Sequence, residues 1–157
     1  MRALLQRVQR AWVEVEANIT GQIQLGLLVY VVFSSEDTPA DAAKMAKKIA
    51  SLRVFDDARG KLNLSLQDVR GGVLVVSNFT LAGNAAKGRR PDFTSAASAE
   101  QAGELYECFL NEMKKSGCNA ASGVFGANMQ VASLADGPVN IVIEMPPASN
   151  KEPPITC

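Results

Sequence analysis

Two short segments bring together side chains that could do chemistry. Ser77-Asn78-Phe79-Thr80-Leu81 follows the apolar run Val73-Leu74-Val75-Val76, so a strand patterned for burial ends in a hydroxyl, an amide, an aromatic ring and a second hydroxyl. The exit of such a strand usually lies at a surface cleft. Asp136-Gly137-Pro138-Val139-Asn140 opens the run Ile141-Val142-Ile143, and a proline there, lacking its N–H, either starts an edge strand or sits in a cis turn. Taken singly, each segment is also read as an ordinary strand end or hairpin turn. Thr80 is the nucleophile that composition suggests. The chain contains no histidine, which excludes Ser-His and Cys-His nucleophiles, His-based zinc sites and the commonest general base near neutral pH. Without an evident base the Thr80 hydroxyl attacks weakly, so a positioning role for its hydroxyl or N–H is preferred to nucleophilic attack, and both stay open.

The elements that must hold these residues belong to one domain. At 157 residues, with 47% hydrophobic and 20% charged side chains, the chain is expected to bury roughly 70% of its unfolded surface. Residues 1–145 are read as that domain. Residues 146–157, rich in proline and without apolar periodicity, are expected to form a disordered tail. Lys and Arg total 16 and Asp and Glu total 16, so no global field draws the protein to nucleic acid or anionic lipid, and a polyanion must be met by local patches. The apolar run from Leu25 to Phe33 is too short to span a bilayer, and the N-terminus lacks a signal-like apolar core, so a cytoplasmic protein with no membrane partner is expected. Cys108, Cys118 and Cys157 form no CxxC pair and read as reduced structural thiols.

Alternation from Val13 to Glu16 and again from Ile19 to Gln24 predicts a hairpin with one wet face. Leu27 to Phe33 is continuous enough to be covered on both faces, at the centre of the sheet. Thr38-Pro39-Ala40-Asp41 caps a helix over 39–53, and Ser98-Ala99-Glu100-Gln101 caps a second over 99–116. Lys114 and Lys115 suit the C-terminal end of that helix dipole. Asp56-Asp57-Ala58-Arg59-Gly60 is a turn cluster, read as turn chemistry and not as a metal site. Strands are expected near 62–66, 73–79, 124–134 and 139–145, with no βαβ repeat. The fold class is α+β: a largely antiparallel sheet or open β-barrel with two main helices.

Several stretches, in order, resemble the D-aminoacyl-tRNA deacylase family over nearly the whole chain up to about Met145. Met1-Arg2-Ala3-Leu4-Leu5-Gln6-Arg7-Val8 looks like its N-terminal strand. The run Leu52-Arg53-Val54-Phe55-Asp56-Asp57, followed by Gly60-Lys61-Leu62-Asn63-Leu64-Ser65, also matches. Ser77 to Leu81 resembles its Ser-Gln-Phe-Thr-Leu motif, Lys87-Gly88-Arg89-Arg90-Pro91-Asp92-Phe93 its basic loop, Phe125-Gly126-Ala127-Asn128-Met129 a pocket-lining stretch, and Asp136-Gly137-Pro138-Val139 its Gly-Pro motif. Three positions depart: Asn78 replaces the usual glutamine, Ala135 an asparagine and Asn140 a threonine.

The resemblance implies a homodimer that hydrolyses the ester between a D-amino acid, and sometimes glycine, and the terminal adenosine of tRNA. It implies a cis Gly137-Pro138 bond acting as a chiral filter in the partner's active site. Ser77, Phe79, Thr80 and Met129 would line the aminoacyl-adenosine pocket, with Phe125 and Gly126 beside Met129, and Asn78 would take a role in catalysis. An aminoacyl ester is already activated, so positioning a nucleophile and stabilising the oxyanion suffices. The substrate's own 2′-OH is the remaining candidate for activating water. Lys87, Arg89 and Arg90 could meet acceptor-stem phosphates or could form a solvated loop. No cofactor, metal or DNA partner is expected. The alternatives are a related deacylase with shifted mischarged-tRNA specificity, a non-catalytic RNA-binding module on the same fold, and a threonine hydrolase acting on small esters.

Overall fold

The structure, a computed structural model, describes residues 1–86 and 88–146. β1 (Arg2–Val15) buries Ala3, Leu5 and Arg7 and, after a shift in phase at Val8, Ala11 and Val13, with Leu4, Gln6 and Trp12 half-buried between them, the period-2 pattern of a sheet with two unequal faces. It turns into β2 (Asn18–Ile23) through Glu16 and Ala17, which both take positive φ, 50° and 62°. β3 (Gly26–Val32) pairs antiparallel with the first half of β1, from Arg2 opposite Val32 to Val8 opposite Gly26. Thr38 then caps α1 (Pro39–Ala50): its hydroxyl accepts from the Asp41 N–H, and the Asp41 carboxylate accepts from the Thr38 N–H at 2.9 Å.

After α1 a small hairpin, β4 (Phe55–Asp56) with β5 (Leu62–Leu64), leads to β6 (Gly72–Ser77). A 3-10 turn (Phe79–Ala82), α2 (Ala99–Lys115) and β7 (Asn119–Ser122) follow, and β8 (Gln130–Glu144) ends the fold on the other edge of β1. The strand order is β2-β1-β3-β6-β7, with β8 beside β1. A Cβ added to Gly21 of β2 would lie 2.4 Å from the Ser122 carbonyl oxygen of β7, so the sheet curls until its ends touch and forms a nearly closed barrel. The side chains of β3 divide between two cores. Leu27, Val29 and Val31 face α1 and α2, meeting Met45, Ile49, Phe109 and Met113. Leu28 points the other way and packs with Val8, Val13, Leu74 and Val76.

The α+β class with two helices and a barrel stands, and β3 lies centrally as expected. The sheet is mixed, however. β3 pairs parallel with β6, and β6 parallel with β7, and each pair is joined through a helix. These crossovers correct the expectation of no βαβ repeat: the β4–β5 hairpin and the long segment before α2 dilute the alternation in sequence. The strand expected over 124–134 is instead a loop over 123–129 followed by the start of β8, because Gly123 leaves the sheet and Gly126 takes φ +76°. β8 runs on through Gly137-Pro138, so 139–145 is no separate strand. The helices end slightly earlier than expected.

Cys118 is free and buried, and burial pushes its thiol pKa up. Cys108 is disulfide-bonded, against the expectation of three reduced thiols. Cys157 and the tail from Pro147 onward lie outside the described residues. No helix among the described residues is long and apolar enough to cross a membrane.

Candidate functional site

Parallel strands release the chain into a crevice at their carboxyl ends, a common place for a ligand. The parallel β3–β6–β7 part of the barrel has such an end. The Asn78 N–H donates to the Val31 carbonyl at 2.9 Å, the last rung between β3 and β6, after which the chain coils into the 3-10 turn. The Gly123 N–H donates to the Val75 carbonyl at 3.0 Å, which brings the loop after β7 to the same end. Between these exits lies a cavity of about 560 Å³.

Ser77 lines it from the end of β6, Asn78 and Phe79 from the start of the 3-10 turn, and Phe125, Gly126 and Met129 from the loop after β7. Six of the expected site residues therefore share one cavity. Tyr106 supports the Phe125 wall: its hydroxyl donates to the Val75 carbonyl at 2.9 Å, and its ring lies 5.6 Å from that of Phe125. Burial pushes the Tyr106 phenol pKa well above its ordinary value, with the Glu107 charge adding to the rise. Among the described residues no ionisable side chain lines the cavity; its polar side chains are the Ser77 hydroxyl and the Asn78 amide. Such a lining suits a neutral, largely planar group and offers no general acid or base.

Thr80 is exposed and outside the lining, and its hydroxyl donates to Asn78 Oδ1 at 2.5 Å. The hydroxyl proton is engaged by an amide oxygen, not by a base. Arg89 and Arg90 are exposed on a loop closed by Asn84 and Asp92, which exchange backbone hydrogen bonds of 2.8 and 2.9 Å. Lys87 lies outside the described residues.

Gly137 and Pro138 are elsewhere, on β8. Gln6 pairs with Asn140 and Val8 with Ala135, so Asp136 to Val139 bulge out opposite Arg7. The Gly137-Pro138 bond is cis, as the resemblance implied, and Gly137 takes φ +112°. Arg7, 6% exposed, ties the bulge down. Its Nε lies 2.9 Å from Asp136 Oδ2 and its Nη1 3.2 Å from Asp56 Oδ2, while Nη1 also donates to the Val54 carbonyl at 2.9 Å. The Nε–H is not aimed at an acceptor, so the Asp136 contact is an ion pair rather than an aligned hydrogen bond. Sequence reading passed over Arg7 as a site residue, although Ala3, Leu5 and Arg7 share the buried alternation of β1. It also missed Phe93, whose ring packs edge-on against Phe79 with centroids 5.4 Å apart.

A family profile described as D-Tyr-tRNA(Tyr) deacylase matches residues 4–144. The chain is 46% identical to a D-aminoacyl-tRNA deacylase of Geobacter metallireducens, covering 95% of this chain and 99% of that one. It is 48% identical to one of Bacillus cytotoxicus over 92% and 99% of the two chains. A solved structure titled c-Myc DNA Unwinding Element Binding Protein aligns with TM-score 0.88 and 41% identity over 93% of this chain and 99% of that chain. A second, titled as a probable eukaryotic D-amino acid tRNA deacylase, aligns with TM-score 0.80 and 17% identity over 92% and 98%, a likeness of fold.

Proposed function

This chain belongs to the D-Tyr-tRNA(Tyr) deacylase family and hydrolyses the ester bond of D-aminoacyl-tRNA, and from that premise we propose that its uncharged cavity holds the aminoacyl-adenosine end while the substrate supplies the missing base. The observation that carries this reading is the absence of any ionisable side chain among the described residues lining the cavity. The adenosine 2′-OH, next to the scissile ester, activates the attacking water. Ser77, Asn78 and Phe79 hold the terminal nucleoside with Phe125, Gly126 and Met129, and the exposed Thr80 contributes position through its N–H or hydroxyl and not a covalent intermediate. Lys87, Arg89 and Arg90 meet acceptor-stem phosphates, and the 2′-OH separates this substrate from DNA.

The protein acts as a homodimer in the cytoplasm, and Gly137-Pro138 of one subunit completes the partner's pocket. Three features support this. No residue of the bulge lines its own chain's cavity; the outer edge of β8 pairs with no strand among the described residues; and Leu134 and Val142 on that strand are 46% and 58% exposed. A carbonyl there, facing the substrate's α-carbon, admits hydrogen and collides with an L-side chain, so D-aminoacyl and glycyl esters pass.

The test is a deacylation assay on D-, L- and glycyl-tRNA, with a D-aminoacyl-tRNA ending in 2′-deoxyadenosine as a fourth substrate. Release from the first and third alone, and a loss of at least a hundredfold on the fourth, is expected. An unchanged rate on the deoxy substrate removes substrate assistance. Tight tRNA binding without release would instead favour the non-catalytic module.

A further inference from the structure

Phe79 poses a physical problem that its own element does not solve. Its side chain is 64% exposed, and the 3-10 turn carrying it buries no residue and has no side-chain cap. An aromatic ring on such a turn keeps one pose only if something outside the turn holds it. The ring that meets it is Phe93, half-buried, with centroids 5.4 Å apart and planes inclined at 64°.

Phe93 is held in its turn from two directions. A Cβ on Gly83 would stand 2.8 Å from Phe93 Cε1, so the backbone that ends the 3-10 turn lies directly against the ring. Downstream, the Phe93 carbonyl accepts from the Ala96 N–H at 3.0 Å, and the Ala97 N–H donates to the Phe33 carbonyl at 2.9 Å, which stitches residues 93–97 to the chain just beyond β3. Upstream, the neighbouring Asp92 closes the Arg89–Arg90 loop against Asn84, and its carboxylate also accepts from the Thr94 N–H at 2.9 Å and hydroxyl at 3.0 Å.

We propose that Phe93 is a positioning residue that couples the basic loop to the cavity: it fixes the Phe79 ring on the cavity wall, so that engagement of phosphate at Arg89 and Arg90 and seating of the terminal nucleoside reinforce each other. The part concerning substrate rests on the reading of the cavity given above. The chemistry recognised is a phosphodiester at the loop and a neutral aminoacyl-nucleoside at the ring, two features of one RNA end.

The experiment compares wild type, Phe93→Tyr, Phe93→Ala, Arg89→Ala/Arg90→Ala and the combined variant on D-aminoacyl-tRNA and on the phosphate-free 3′-O-(D-aminoacyl)adenosine. Removing an edge-to-face partner should raise KM for both substrates about threefold to tenfold in Phe93→Ala with kcat unchanged, while Phe93→Tyr behaves as wild type. The arginine substitutions should raise KM for the tRNA alone, and by less once Phe93 is absent. Full additivity of the two lesions on tRNA, or an unchanged KM in Phe93→Ala, overturns the coupling. Amide hydrogen exchange on the substrate-free protein supplies the arm that does not depend on the deacylase reading. Phe93→Ala should speed exchange at Leu81, Gly83, Asn84 and Asp92 with β6 unaltered, and unchanged exchange at all four overturns the clasp even if every substrate is turned over normally. A protein that hydrolyses neither substrate, yet shows the exchange change, refutes the deacylase reading and leaves the clasp standing.

Discussion

The cavity and the β8 bulge are held by opposite means. The cavity is walled by apolar rings and small side chains, with the Tyr106 hydroxyl bonded to a strand carbonyl and no charge on its lining among the described residues. The bulge is held by charge: one buried guanidinium faces two carboxylates and a carbonyl. Packing sets the shape of a space but tolerates small rearrangements, whereas a buried cation with fixed partners dictates where a strand may depart from its ladder. Under the proposed reading, the first arrangement receives a flexible RNA end and the second holds a backbone that excludes one stereoisomer.

Removing Arg7 should break the contrast most severely. Arg7→Ala leaves Asp136 and Asp56 facing an empty space, and loss of one partner from a buried ion pair typically costs 3–5 kcal/mol. Their side chains are 32% and 48% exposed, so a cost of about 3 kcal/mol, the low end, is expected. Urea unfolding reads it. A loss under about 0.5 kcal/mol would mean that the bulge, too, is held by packing.

Gly137→Ala strikes the same bulge through its backbone. A Cβ there meets Val139 Cγ2 at 2.8 Å and Val139 N at 2.9 Å, at a φ of +112°. Destabilisation of about 1–3 kcal/mol is expected. D-aminoacyl-tRNA turnover should fall, while adenosine binding to the cavity, followed by titration calorimetry, stays as in the wild type. Loss of adenosine binding would show that the two regions are not independent.

Thr80→Ala sharpens the other side of the comparison. Its hydroxyl is occupied by Asn78, so single-turnover rates should fall by tens of fold at most, about 2 kcal/mol in the barrier. Complete inactivation of a folded protein, with a trapped acyl-threonine, would restore the nucleophile.

The smallest expected effect is a pH response. With no ionisable side chain lining the cavity among the described residues, kcat should show no bell between pH 6 and 9. Burial raises the folded pKa of the supporting Tyr106 above the ordinary phenol value of 10.0, so its neutral form is favoured by folding. Its contribution to stability is fully present below pH 10 and is lost as pH rises beyond it, since the unfolded state then releases its proton first. Thermal melts from pH 8 to 11 should be flat and then fall, and Tyr106→Phe should flatten the fall. A bell in kcat near pH 7 would place a titrating group in the cavity.

Local pattern carried much of this protein. Thr38 with Asp41 announces α1, Ser98 announces α2, the run from Leu27 to Phe33 reads as a strand covered on both sides, and the residue types of Ser77 to Thr80 mark a strand exit worth watching. Each is a matter of neighbours within a few positions, where side-chain period and capping hydrogen bonds act directly. Partners were another matter. Periodicity says which face of β6 or β7 is buried and nothing about the strand beside it, because a parallel pairing is closed through a helix and a long connection. The parallel β3–β6–β7 edge, and with it the cavity between Ser77 and Met129, arose only when those crossovers packed. The same holds for Arg7: an arginine in a buried register is unreadable until tertiary structure brings Asp56 and Asp136 to it, since burying that charge is tolerable only where distant carboxylates meet it.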